Sequence, residues 1–266
     1  MLQSKVTTPF KATVITLLLV GLLMLIPIKS ILIKLQFPNF QAEYASLFLK
    51  MSIIFFFSYY AIKRLKFKTI SGISTKYKWK HQLLNLIPLY LCLLGIASIA
   101  NKDFSEVILL DFIILFIGCM AVGFAEEFLF RGFLQSLFLN KYISKKRGLF
   151  IGVFLPALSF GLFHFINLLT SESILAIFIQ VIFATFIGFF FGVILLKTNK
   201  IIPLAITHAL INFFFSIQFL PNLTPITKEE TTISIAPLLI TLPLFIIGLF
   251  LLKKINKEEI EEKLNA

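Results

Sequence analysis

The stretch GFAEEFLFRG, residues 123–132, places two adjacent glutamates and an arginine inside an apolar run. On insertion scales, a charged side chain at the centre of a bilayer helix costs about 2.5–3.5 kcal/mol. No structural need explains such a cost, so we interpret this stretch as a functional site and look for polar groups that converge on it. The charged residues between positions 107 and 139 are Asp111, Glu126, Glu127 and Arg131.

The composition indicates a polytopic membrane protein. Of the 266 residues, 58% are hydrophobic and 14% are charged, whereas soluble domains average about 45–50% and about 25%. The net charge of +12 does not predict a nucleic-acid partner, because the cations lie in loops between apolar segments, as membrane topology requires. Cys92 and Cys119 lie in apolar runs and indicate neither a disulfide nor a metal motif.

Eight apolar segments are candidate membrane helices, each of which needs about 20 residues. The fourth is too long for a simple span, since about 1.5 Å per residue gives roughly 50 Å against a hydrocarbon core of about 30 Å. We therefore expect it to tilt strongly, to kink or to run out along the interface, with Gly123 as the candidate for the bend. The predicted segments are 12–33, 44–62, 83–100, 106–139, 149–169, 173–196, 201–220 and 233–252.

Lysines and arginines are concentrated in alternate connections, at 63–80, 141–147, 197–200 and 253–263. The first connection, which also carries cations, is the exception. Because cations accumulate on the cytoplasmic side, eight spans with both termini in the cytoplasm fit this distribution. No repeat or linker divides the chain, so we predict an all-α transmembrane bundle that forms one domain over residues 1–266.

Two histidines and an asparagine lie within other apolar runs. His164 ends the stretch FGLFH, and His208 and Asn212 bound the stretch HALIN. A lone histidine in a membrane helix often does no more than hydrogen-bond a neighbouring helix. That interpretation weakens when two histidines, an asparagine and an acidic pair occur at interior depth on different helices.

Spacings of four residues place pairs of these side chains on one helix face. Glu127 and Arg131 can therefore pair along the fourth helix, which leaves Glu126, about 100° round the helix, free to face a cavity. His208 and Asn212 likewise point from one face of the seventh helix. We expect the fourth, fifth and seventh helices to surround one pocket.

These groups are those of a hydrolase. A buried carboxylate can take a proton from water, and imidazole and amide groups can donate to the oxyanion that forms at a peptide carbonyl. No G-x-S-x-G elbow is present, and no serine or cysteine stands beside either histidine, so water is the expected nucleophile. Two histidines and a carboxylate also form open zinc sites, here from Glu126, His164 and His208. Because H-E-x-x-H is absent, the residues favour glutamate chemistry without a cofactor and leave zinc as the alternative.

Three motifs, E-E-x-x-x-R at 126–131, F-x-x-x-H at 160–164 and H-x-x-x-N at 208–212, resemble those of the CAAX-protease and bacteriocin-processing family. This family of intramembrane proteases is also called the type II CAAX prenyl endopeptidase or Abi family. The resemblance covers about residues 120–215, within a catalytic core that we place at about 105–220. It implies an intramembrane endopeptidase of the bacterial cell membrane, acting on a membrane-associated peptide or protein in peptide maturation or bacteriocin immunity.

The resemblance also implies a role for each matching residue. Glu126 would be the general base that activates water, with assistance from His164. The other implied roles are an oxyanion hole at His208 and Asn212 and orientation of the site by Glu127 and Arg131.

Two other functions stay open on sequence alone. A non-catalytic immunity or scaffold protein with the same fold would carry the motifs without cleaving a peptide. An ion-coupled transporter would also place Glu and His within the membrane, although no repeated half or pair of broken helices favours it. The sequence sets no oligomeric state and no macromolecular partner other than the substrate and the bilayer.

Overall fold

The computed structural model describes residues 8–169, 173–225 and 234–266. In these ranges the chain is helical almost throughout, apart from one antiparallel pair, β1 (Lys102–Asp103) with β2 (Thr224–Pro225). The all-α membrane bundle expected from the sequence is thereby confirmed. The α-helices are α1 (Pro9–Leu25), α2 (Ile28–Lys34), α3 (Asn39–Arg64), α4 (Tyr90–Ala97), α5 (Leu109–Glu126), α6 (Gln135–Tyr142), α7 (Gly148–Phe163), α8 (Ile174–Thr198), α9 (Ile201–Ser216), α10 (Ala236–Lys253) and α11 (Lys257–Asn265).

Within the described ranges, seven helical segments are long and apolar enough to cross a membrane. The span predicted at 83–100 is instead the shorter segment Gln82–Ala97. Its first half, Gln82–Leu89, is a 3₁₀-helix with Pro88 inside it. A 3₁₀-helix rises about 2.0 Å per residue, so this half and α4 together cover about 28 Å, close to the hydrocarbon thickness.

The segment Gln82–Ala97 connects the two ends of the bundle. Before it, the Lys80 N–H donates to the carbonyl of Thr198, at the C-terminal end of α8. After it, β1 pairs with β2, which follows the opposite end of α9. The chain therefore crosses the bundle here, as the sequence predicted, although with a shorter helix than expected. The cytoplasmic location of both termini stays a prediction.

The overlong span is confirmed as the 34-residue helical segment Leu109–Tyr142. α5 runs through Gly123 as a regular α-helix, so the bend expected at that residue is absent. The departure from α geometry is a π-helix at Glu127–Leu134, which starts at the second glutamate. Gly123 instead allows α5 and α9 to pack closely, since a Cβ there would lie 2.6 Å from the backbone nitrogen of Ala209 on α9.

α5 lies between α3 and α9, and α8 packs against α7 and α10. Asp111, whose position in an apolar span the sequence left unexplained, is buried and accepts a hydrogen bond of 3.0 Å from Gln41 Nε2. The same two helices also meet at Phe55 and Phe124, so α3 and α5 run in the same direction. Large apolar side chains such as Leu18 stay exposed on the outer faces, as a bilayer-facing surface requires.

Candidate active site

Glu127 and Arg131 form a buried ion pair in the π-helix. Arg131 Nη1 lies 3.0 Å from Glu127 Oε1, and the two side chains are 1% and 0% exposed. The guanidinium lies over the ring of Phe160 on α7, with 4.4 Å between Cζ and the ring centroid, a desolvated position in which cation–π attraction is strong. Glu127 Oε2, Arg131 Nη1 and Arg131 Nη2 nevertheless have no hydrogen-bond partner among the described residues. Buried polar atoms in native proteins are mostly paired, so these unpaired atoms are typical of a functional site.

His208 on α9 connects the two glutamates. Its Nδ1 lies 2.7 Å from Glu127 Oε1, and its Nε2 lies 3.4 Å from Glu126 Oε2. The ionised carboxylate of Glu127 can only accept, so we infer that Nδ1 carries a proton. With Nε2 protonated as well, the charges of Glu126, Glu127, Arg131 and His208 sum to zero. The distance to Glu126 exceeds that of an ordinary hydrogen bond, which leaves this contact free to rearrange around a water or a substrate atom.

Glu126 is the acidic residue that reaches open space. Its side chain is 15% exposed and lines a cavity of about 300 Å³ together with His164, His208 and Asn212. The structure thus brings the carboxylate, the two imidazoles and the amide expected from the sequence to a single chamber, which we call the catalytic cavity. The chamber lies between α5, α7 and α9, the helices that correspond to the fourth, fifth and seventh predicted spans.

His164 lies where α7 ends and the 3₁₀ segment His164–Leu169 begins. Its Nδ1 lies 2.9 Å from the main-chain oxygen of Phe160. That oxygen can only accept, so Nδ1 carries the proton and Nε2 of the neutral ring is an acceptor. The Phe160 ring meets the ring of His164 edge-on at 5.0 Å and that of His208 at 5.9 Å. Phe160 therefore separates the two imidazoles, a role that the sequence analysis did not assign to it.

His208, rather than His164, is the imidazole for which the structure gives a contact with Glu126. The resemblance had implied that His164 assists Glu126 and that His208 belongs to the oxyanion hole. His164 lines the same cavity as His208, so both imidazoles face one space. The difference arises because Glu127 holds His208 Nδ1, which turns Nε2 towards Glu126.

Two polar residues of the catalytic cavity escaped the sequence analysis. Asn167, in the 3₁₀ segment after His164, donates from Nδ2 to Gln180 Oε1 on α8 at 3.0 Å, and both residues line the cavity. The available signal was the amide of Gln180, which interrupts the apolar first half of α8. It was missed because a single glutamine belongs to none of the three motifs.

A second cavity of about 360 Å³ adjoins the first and shares His164, Gln180, His208 and Asn212 with it. We call it the apolar cavity, because its other walls are almost entirely hydrophobic. They come from α4, α7, α8, α9 and α10, so this space lies on the opposite side of the shared polar residues from α3. The remaining lining residues are Leu91, Phe160, Phe183, Ala184, Ile187, Ile211, Phe215, Pro237, Ile240 and Thr241.

The residues suggested as zinc ligands do not fit a metal site in this arrangement. Across the described ranges, no group of three or more His, Cys, Asp or Glu side chains is placed to hold a metal ion. We therefore derive no chemical step through a metal.

Residues 108–214 match the family model described as type II CAAX prenyl endopeptidase Rce1-like. An Rce1-like domain spans these residues. It contains all seven motif residues and confirms the resemblance drawn from them. The Rce1-like domain begins at the start of α5 and ends within α9, so α1–α4, α10 and α11 lie outside it. Comparisons with curated proteins and with solved structures gave no match.

Proposed function

We propose that this membrane protein is an intramembrane endopeptidase in which Glu126 activates water to hydrolyse a peptide bond of a membrane-associated peptide or protein. The observation that supports this most is the convergence of Glu126, His164, His208 and Asn212 on one cavity of an Rce1-like domain. Carboxylate, imidazole and amide groups are the complement that water-dependent peptide hydrolysis requires.

Glu126 is the proposed general base. It is the carboxylate of the acidic pair that reaches the cavity, while Glu127 is fully buried and occupied by Arg131 and His208. His164 offers Nε2 as a second acceptor, because Nδ1 donates to the Phe160 carbonyl. When Glu126 and His164 each accept a hydrogen bond from one water, a lone pair of the water oxygen points at the substrate carbonyl. Glu126 then removes one proton from this water, and its oxygen attacks as the nucleophile.

His208 and Asn212 are the proposed oxyanion hole. His208 as an imidazolium donates from Nε2, and Glu127 keeps the ring oriented through Nδ1. Asn212 lies one helical turn away on the same face and adds its amide N–H. As the water oxygen bonds to the carbonyl carbon, the oxyanion gains both donors. Glu126 then passes the abstracted proton to the leaving nitrogen as the C–N bond breaks.

The apolar cavity is the proposed site for a hydrophobic side chain next to the scissile bond. It shares His164, Gln180, His208 and Asn212 with the catalytic cavity, so a peptide at these residues has polar space on one side and apolar space on the other. A volume of about 360 Å³ falls within the range of small-molecule pockets. The substrate class that this fits is a hydrophobic, membrane-embedded peptide.

The test is hydrolysis of a hydrophobic peptide by the purified, full-length protein in liposomes. Glu126→Gln keeps the shape of the side chain and removes the base, so we expect cleavage to fall at least 100-fold, within the range of about 10²–10⁴ typical of general bases. Glu106→Gln, at an exposed glutamate beyond the helices, is the matched control and should retain full activity.

Undiminished cleavage by the Glu126→Gln protein would remove the proposed base. A chelator should leave the wild-type rate unchanged, and a loss that added zinc restores would contradict the metal-free mechanism. A protein that acts only as an immunity scaffold would keep its cellular phenotype after Glu126→Gln, whereas an endopeptidase would lose it.

A further inference from the structure

Lys50 is a cation in the interior of a membrane helix. It lies eleven residues after the start of α3, which corresponds to about 16 Å along the helix axis. Its Nζ donates to the main-chain oxygen of Met24 at 2.7 Å. No ion pair of Lys50 occurs in the described ranges. An intramembrane lysine without a counter-ion is a candidate functional residue.

The hydrogen bond to Met24 explains the side chain only in part. The carbonyl of Met24 has lost its helical partner, because the Ile28 N–H donates to Ile26 near the break between α1 and α2. Lys50 satisfies this carbonyl. A neutral amide side chain would satisfy it equally well without placing a charge in the membrane, so the charge itself has no use among the described residues.

Lys50 lies beside the wall of the catalytic cavity. Its hydrogen-bond partner Met24 lines that cavity, and so do Leu47 and Met51, its neighbours in α3. The same cavity extends to Glu126. Met24, to which the ammonium group is bound, and the proposed base therefore line one continuous space.

The separation of Lys50 and Glu126 along the bundle follows from the register of α3 and α5. Gln41 pairs with Asp111, and the helices run in the same direction from that level. Lys50 follows Gln41 by nine residues and Glu126 follows Asp111 by fifteen, which at about 1.5 Å per residue gives an offset of about 9 Å. An extended peptide covers this distance in two or three residues.

We propose that Lys50 binds a carboxylate of the peptide substrate, two or three residues from the scissile bond. The inference rests on the proposed function. A carboxylate is the anion that a peptide itself carries, either at its C-terminus or on an acidic side chain. The charges of Glu126, Glu127, Arg131 and His208 already sum to zero, so a substrate carboxylate in the cavity needs a further cation as its partner, because Coulomb interactions are weakly screened there. Lys50 thus makes it favourable for an anionic substrate to bind beside an anionic base.

The experiment compares peptides that differ only in charge, using full-length protein in liposomes. One pair carries a free or an amidated C-terminus, and the other carries Glu or Gln two or three residues from the cleaved bond. Lys50→Gln keeps the donor to the Met24 carbonyl and removes the charge, so kcat/KM should fall at least tenfold for the carboxylate form alone. Lys50→Arg should retain most of the preference. The pair that responds identifies the source of the carboxylate.

Lys63→Gln, at an exposed lysine near the end of α3, should change neither pair. Equal losses on charged and neutral peptides after Lys50→Gln would show that Lys50 only supports the helix, and no loss on either would show that it is dispensable. Both results overturn the inference while leaving the protease intact. Failure of the wild-type protein to cleave any of the peptides would contradict the proposed function instead.

Discussion

Among the described residues, Arg131 and Lys263 are a buried arginine and a buried lysine, and their surroundings differ. Arg131 is 1% exposed within the membrane bundle, and Lys263 is 3% exposed where α11 docks on one end of it. Lys263 donates to Asn199 Oδ1 at 2.6 Å and pairs with Glu259 at 2.9 Å. Arg131 has one carboxylate neighbour, and both of its terminal nitrogens are unpaired by hydrogen-bond geometry among the described residues.

The difference separates a structural from a functional use of buried charge. Lys263 shares its partners with surface groups, since Glu259 also bonds Lys80 and Asn199 also bonds the Lys78 carbonyl. The hydrogen-bond network of Lys263 is complete and lies near the surface, where the Glu259 side chain is 35% exposed. The network of Arg131 is incomplete and ends, through Glu127 and His208, at a cavity. Proteins tolerate such under-satisfied sites mainly where function requires them.

The largest effect should come from breaking the ion pair of Arg131. Arg131→Met leaves the buried cluster of Glu126, Glu127 and His208 with one uncompensated negative charge, which typically costs about 3–5 kcal/mol. Adding Glu127→Gln removes that charge, so the double variant should recover most of the lost stability and still lack activity. The free energy of unfolding in mixed micelles and the rate of peptide cleavage measure the two properties separately.

Recovery of activity in the double variant would show that the ion pair serves only stability. An unfolding free energy as low in the double variant as in Arg131→Met would show instead that the cation–π contact with Phe160, and not the charge balance, stabilises the site. Either result would bring Arg131 closer to the structural use of charge seen at Lys263.

An intermediate effect should come from filling the apolar cavity that shares His164, His208 and Asn212 with the first cavity. Ala184→Phe places a ring where α8 lines this cavity. We expect cleavage of peptides with a large apolar residue at the scissile bond to fall about 10–200-fold relative to peptides with alanine there. Ile182→Phe, on a 42% exposed position of the same helix, is the matched control. A uniform loss on both peptide classes would argue against a side-chain site.

The sequence indicated which polar residues share one cavity because their signal is local. Four-residue spacing is enough to pair Glu127 with Arg131 and to direct Glu126 elsewhere. The sequence also indicated that these residues lie at membrane depth, because each is an isolated polar residue within an apolar run. The π-helix after Glu126 was not predictable, since EFLFRGFL reads as an ordinary apolar helix.

Contacts between residues that are far apart in the chain could not be predicted from the sequence. Lys50 was overlooked because hydropathy averages over a whole span, and its partner lies 26 positions away. The docking of the C-terminal tail also depends on distant residues, since Ile260 is 1% exposed and Lys263 reaches Asn199 across 64 positions. Gly123 was interpreted as a bend because the sequence shows a missing side chain but not the helix that approaches it.

The smallest effect should come from the docking of α11. Lys263 and then Lys80 donate to Glu259 and hold the pKa of its carboxyl below the usual range. A carboxyl with a lowered pKa contributes stability above its ordinary pKa, near pH 4, and loses that contribution as the pH falls further. Protection of α11 from hydrogen exchange should therefore decrease on acidification below about pH 4, while protection of the membrane helices stays constant.

Lys263→Met should remove most of this acid dependence and lower stability by about 1 kcal/mol or less, since Glu259 is 35% exposed and its ion pairs are screened by solvent. Lys257→Met is the matched control, because the pair that it removes, with Glu261, is exposed and longer, at 3.5 Å. Peptide cleavage at neutral pH should be the same in both variants. If cleavage fell with Lys263→Met and not with Lys257→Met, the docked C-terminal helix would influence catalysis, and the separation between the two buried cations would not hold.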